Sequence, residues 1–276
     1  MSVPKAYMDY RLILGIAIGV ALGVLAMALF AGQSQPQTAA ACPTSVEAIK
    51  KRGKLVVGTS ADWPPYEYVE GGRIVGIDID IARRIADSLG VQLEIRDMKF
   101  SALIEAVKRG DVDMVIADMA VTPERERQVL FSIPYQVDTS VVIVRRGEAV
   151  SGVEALRGKS IGVQVGTVQE DWAVKTLGNY SKIVRYDKVY PYMVEALRKG
   201  DVDAIVVGGV VGKALVKRFP DLEQAFTVGV RYSAVAVPLC AYDLKIQIDR
   251  VIYDMLQSGE LERLISGWVE RWLYGS

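Results

Sequence analysis

The stretch "ALIEAVKRGDVDMVIADM" occupies residues 102–119, and "YMVEALRKGDVDAIVVGG" occupies residues 192–209. Six of eighteen aligned positions are identical, and several others exchange Lys for Arg or one aliphatic for another. In each copy an amphipathic run stops at a glycine, Gly110 or Gly200, a C-terminal helix signal, and an apolar run of strand length follows. The sequence therefore writes helix, tight turn and strand twice. The copies part only at their ends, "ADM" against "VGG".

Working outward, "KLVVGTS" (54–60) reads as a buried strand with a glycine near its exit. "IDIDIARRIADSLG" (77–90) spaces Ile77, Ile81, Ile85 and Leu89 as one helix face and closes on Gly90. "VQLEIRDM" (91–98) alternates as a strand. Strand, helix, strand, helix, strand predicts a parallel sheet. The order restarts with "KSIGVQVGT" (159–167), a helix from Val168, "SKIVRYD" (181–187) and the second copy. A period of this length is too long for a solenoid unit, so the chain predicts two α/β lobes with a crevice between them. Leu244, Ile248, Val251, Met255, Leu261, Ile265 and Val269 return the chain to helix.

Composition removes several function classes. Lys plus Arg equals Asp plus Glu at 33 each, so no net field draws the chain to nucleic acid or to an anionic membrane surface. The chain has no histidine, hence neither the commonest general base nor the commonest metal ligand. No cofactor or metal is expected. Leu12–Ala31 is free of charge and long enough to cross a bilayer, and Lys5 and Arg11 before it place the chain from Gly32 onward outside the cell. Residues 1–31 therefore read as a signal or membrane anchor, and residues 32–45 as a flexible tether. Cys42 follows three alanines, as in a lipoprotein box, but a polar stretch separates it from the apolar run. It could pair with Cys240 in an oxidising exterior; a lone buried Cys240 is the simpler expectation.

Five motifs, "GTSADWPPYEY" (58–68), "GGRIVGIDIDIARRIA" (71–86), "GDVDMVIADMAVTPERERQVLFSIPY" (110–135), "GKSIGVQVGTVQE" (158–170) and "GDVDAIVV" (200–207), resemble in content and order the solute-binding proteins of polar amino-acid ABC transporters. That resemblance implies the two-lobed type II periplasmic binding protein fold, with lobe 1 at 46–140 rejoined by 235–276 and lobe 2 at 141–234. Hinge strands are implied near 139–144 and 232–237. It implies a small-molecule ligand, an amino acid or analogue, and ABC permease subunits as partners. Sheet strands of this kind aim their carboxyl ends at the ligand.

The same resemblance supplies site residues. Arg125 in "TPER" matches the arginine that grips the ligand's α-carboxylate, a task suited to a planar guanidinium. Gly166 and Thr167 would offer backbone N–H groups to that carboxylate from a helix start. Trp63 and Phe100 match the apolar walls, and Ala117 and Ala120 flank the end of the first repeat copy. Ser60 stands where relatives that bind basic amino acids carry an aspartate. Gly208 stands where the family usually places the aspartate for the ligand's ammonium, and Asp118, its equivalent in the first copy, is expected to take over that duty. Arg83 and Arg127 read as surface charges and Tyr66 as core. Two other classes share such a fold: prephenate- or arogenate-type dehydratases, for which Glu170 could serve as acid or base, and receptor ectodomains, for which no output module is visible.

Overall fold

The computed structural model describes residues 42–275. The expected signal or membrane anchor lies outside the described residues, as does most of the tether. The first lobe runs through helix α1 (Val46–Arg52), strand β1 (Lys54–Thr59), a meander of β2 (Asp62–Trp63), β3 (Glu67–Glu70) and β4 (Arg73–Val75), and helix α2 (Ile77–Leu89). It continues with β5 (Gln92–Asp97), α3 (Leu103–Arg109), β6 (Met114–Val115), the short α4 (Pro123–Glu126) and β7 (Val129–Phe131). The second lobe holds β8 (Gln136–Arg145), β9 (Ser160–Gln164), α5 (Val168–Leu177), β10 (Lys182–Tyr186), α6 (Val194–Lys199), β11 (Ala204–Gly208), α7 (Gly209–Arg218) and β12 (Leu222–Ser233). The chain then returns through β13 (Ala236–Pro238), α8 (Tyr242–Gln257) and α9 (Glu260–Tyr274).

The two main sheets have the orders β5-β1-β6-β13-β7 and β10-β9-β11-β8-β12. In each, the three strands built by the repeated plan are parallel, and the strands contributed by the crossings are antiparallel. The sheets are therefore mixed rather than wholly parallel. The expected hinge near 139–144 falls within β8, which pairs along its length with β12, and Ser233 at the end of β12 also bridges Ala120 of the first lobe.

The repeated "GDVD" acts as a staple in both lobes. The Asp113 carboxylate accepts from the backbone N–H of Val56 at 2.7 Å, and the Asp203 carboxylate accepts from that of Ser160 at 2.7 Å. Each aspartate's own N–H donates to the carbonyl of the same neighbour, at 2.7 and 2.8 Å. Gly110 and Gly200 take φ of 75° and 85° as left-handed caps that end α3 and α6. The scaffold is thus duplicated down to its side-chain hydrogen bonds.

Helix α2 buries Ile77, Ile81, Ile85 and Leu89, the face its spacing predicts. Arg83 and Arg127 are exposed and Tyr66 is fully buried, as read from the sequence. Trp272 of α9 packs edge-on against Tyr68 of the first lobe and Tyr190 of the second, with centroids 5.0 Å apart in both cases. Cys42 and Cys240 form a disulfide, which replaces the expected lone thiol. Their Cα atoms are 5.5 Å apart, so the segment entering α1 and the loop before α8 lie side by side on the first lobe.

Candidate functional site

Between the sheets lies a narrow, largely enclosed cavity. Of the residues expected there, Ser60, Trp63, Phe100, Ala117, Asp118, Ala120, Arg125 and Thr167 line it. Gly166 and Gly208 do not line it. Glu67, Gln164, Val168, Gln169 and Arg231 line it without having been singled out in the sequence.

Thr122 caps α4, accepting from the N–H of Arg125 at 3.3 Å, and so aims the arginine into the cleft. Its guanidinium donates to the carbonyl of Ala120 at 2.5 Å and, from the other lobe, to that of Gly166 at 2.9 Å. It also lies 5.4 Å from the Phe100 ring centroid. No carboxylate pairs with it among the described residues. Burial pushes its pKa down to about 10, which still leaves it charged at neutral pH. A half-buried guanidinium without a counter-ion, facing a cleft, is suited to receive an anionic group.

The N–H of Gly166, expected to face the ligand, instead donates to Glu170 Oε2 at 2.7 Å. Thr167 caps α5 by accepting from the N–H of Glu170 at 3.2 Å. The first helical residues, Val168 and Gln169, line the cavity, and they supply the helix start on the Arg125 side. Gly166 has φ of 81°, and a Cβ there would come within 3.2 Å of Ser101 in the opposite lobe. Glycine is required for the turn and for this approach.

Asp118 is the one described non-glycine residue with positive φ, at 43°. Its backbone is held in that turn by a bond from its N–H to Asp78 Oδ2 at 2.7 Å. Its side chain receives Trp63 Nε1 on Oδ2 at 2.9 Å, Ser233 Oγ on Oδ1 at 2.6 Å, and the guanidinium of Arg231. Arg231 also reaches Asp138 Oδ2 at 3.0 Å and lies where a Cβ on Gly208 would sit. Positions 118 and 208 do face each other, and a guanidinium stands between them. Burial opposes the charge on Arg231, but the Asp118 carboxylate outweighs it and leaves the guanidinium's pKa above its ordinary value.

Asp62, buried beneath Ser60, links the lobes. Its Oδ2 accepts from Ser60 Oγ at 2.8 Å, and its Oδ1 accepts from Gln164 Nε2 at 2.9 Å and from the Val189 N–H at 3.1 Å. Glu170, the candidate acid or base, is bound to Gly166 and, through Oε1, to Arg185 at 2.5 Å; it does not line the cavity.

Residues 55–271 match the bacterial extracellular solute-binding proteins, family 3. The chain belongs to that family. This solute-binding protein is 32% identical over 219 residues to the arginine-binding extracellular protein ArtP of Bacillus subtilis (strain 168), covering 78% of this chain and 86% of ArtP. Its fold matches the amino acid ABC transporter substrate-binding protein AbpA from Streptococcus pneumoniae, solved bound to L-arginine, with a TM-score of 0.78 and 35% identity over 82% of this chain and 99% of AbpA. It also matches the ancestral amino acid-binding protein AncCDT-1, a precursor of cyclohexadienyl dehydratase, with a TM-score of 0.76 and 27% identity over 81% and 99%. The fold is the two-lobed one, and the protein is an extracytoplasmic solute-binding component of the kind that serves ABC importers.

Proposed function

We propose that this solute-binding protein captures an amino acid by its α-carboxylate on Arg125 and presents the closed complex to its permease. The observation that carries the reading is the half-buried Arg125 guanidinium, which spans the lobes through Gly166 yet has no anionic partner among the described residues. The α-ammonium lies beside Asp118, whose Oδ1 accepts from Ser233 alone among the described residues and so retains an acceptor position. Closure proceeds without chemistry. In support, Glu170 is engaged outside the cavity, and no histidine is available as acid or base. Residues 1–31 hold the protein at the outer face of the membrane, or direct its export and are removed.

Calorimetry with a panel of L-amino acids tests the assignment. Arg125→Ala should cost roughly 2 to 4 kcal/mol of binding, about a hundredfold or more in affinity, while the protein stays folded. Near-unchanged binding by folded Arg125→Ala would sink the reading.

A further inference from the structure

Strand β10 ends at Tyr186, and each of the next four residues, 187–190, reaches a different point of the first lobe. The Asp187 carboxylate pairs with Lys99 Nζ at 2.8 Å, and Lys188 Nζ lies 3.6 Å from the Asp97 carboxylate. The N–H of Val189 donates to Asp62 Oδ1 at 3.1 Å, and the ring of Tyr190 meets that of Trp272 edge-on at 5.0 Å between centroids. Lys188 and Tyr190 have extended backbones, so the segment runs along about 10 Å of the seam between the lobes. The two ion pairs have opposite polarity, since each lobe contributes one acid and one base. None of the four residues lines the cavity.

The partners on the first lobe are fixed in place. Asp97 Oδ1 accepts from the N–H of Ala61 at 2.8 Å, Asp62 is buried, and Trp272 is buried against Tyr68. The Trp272 carbonyl also accepts from the Arg218 guanidinium of α7, in the second lobe, at 2.5 Å. The segment is tied to the cavity through Gln164, which lines it and whose Nε2 donates to Asp62 Oδ1 at 2.9 Å and to the Asp187 carbonyl at 3.1 Å. An exposed ion pair contributes little by itself. Contacts that form and break together, however, shift the balance of open and closed lobes by their sum.

We infer that residues 187–190 form a clasp across the seam, which sets how long a captured solute stays without setting which solute is captured. The inference rests on the reading that the lobes close over a solute in the cavity. The solute meets the open form first, so the clasp acts after capture. Weakening it speeds release and leaves association unchanged. Lys99, Asp187 and Tyr190 are thus positioning residues that act through closure.

Stopped-flow kinetics on the full chain, with L-arginine as the probe, test this. Tyr190→Ala should release L-arginine about tenfold faster than the parent, with an association rate unchanged within about twofold. Lys99→Glu sets like charges across the seam and should speed release about threefold. Adding Asp187→Lys to it restores the pair with reversed polarity and should return release to the parental rate. Lys99 and Asp187 are 62% and 53% exposed, so a merely structural role would give no such rescue. Parental release by Tyr190→Ala, a loss of affinity carried by slower association, or a swapped variant that releases as fast as Lys99→Glu would each overturn the inference. Should Tyr190→Ala not fold, the reversed and swapped variants decide. Should L-arginine not bind, small-angle scattering without solute decides: Lys99→Glu should give a larger particle than the parent and the swapped variant, and equal particles overturn the inference. Failure of the carboxylate reading looks different, because Arg125→Ala would then hold L-arginine as the parent does while the clasp variants still release it faster.

Discussion

Arg231 on β12 grips Asp118, 113 residues earlier in the chain, and in doing so joins the strand that leads out of the second lobe to the end of the first repeat copy. Both side chains are almost wholly buried. Removing one charge from such a pair leaves the other stranded, although Asp138 remains as a second partner for Arg231. Asp118→Asn should therefore lower the stability of the ligand-free protein by about 2 to 4 kcal/mol. Urea unfolding measures this; a change below about 0.5 kcal/mol would show that Asp138 alone suffices.

Gly208 has ordinary φ and ψ, so its backbone would accept any side chain; the obstacle is Arg231, whose Nη2 lies too close to where a Cβ would stand. Gly208→Ala should push the guanidinium off its partners and deform the cavity it lines. We expect at least a tenfold loss of ligand affinity with a fold that still melts cooperatively. Wild-type affinity in this variant would mean that Arg231 yields without consequence for the ligand.

Asp62 makes lobe closure sensitive to pH. Burial lifts its pKa from 3.8 to about 6, opposed by its hydrogen bonds from Val189 and Ser60. Because Val189 and Gln164 belong to the second lobe, that burial depends on closure. A raised folded-state value means the closed form takes up a proton. Its contribution is fully present below about pH 4 and is lost as pH rises through about 6. Small-angle scattering of the ligand-free protein should show a more compact particle at pH 5 than at pH 7.5, and Asp62→Asn should remove the difference.

The Cys42–Cys240 disulfide spans 198 residues of sequence. The chain-entropy estimate for a loop of that length is about 5 kcal/mol, an upper figure. Cys240→Ala should melt at a lower temperature than the parent, and unfolded parent protein should expose no titratable thiol until it is reduced. A free thiol in the unreduced chain would contradict the pairing.

Much of this architecture is legible in the sequence because it is periodic. The repeat copies, the isoleucine face of α2 and the capping glycines are local patterns, and local patterns survive in a single chain. The arginine in "TPER" is legible through family resemblance, and its helix cap lies within the same few residues. Arg231 escaped notice because it sits in an apolar, strand-like stretch where a buried arginine runs against ordinary burial preference, and its partners are distant in sequence. Glu67 lay in plain view inside "WPPYEY", but only the tertiary arrangement shows that it lines the cavity.

The disulfide also sets where mechanical load would travel. Tension entering the domain at Cys42 passes through the covalent link to Cys240 and into the segment before α8, all on the first lobe. The hydrogen-bonded edge of β1 and the strands that cross between lobes lie off that line of force. A pull applied at Cys42 would therefore load the first lobe directly and reach the second only through the contacts between them.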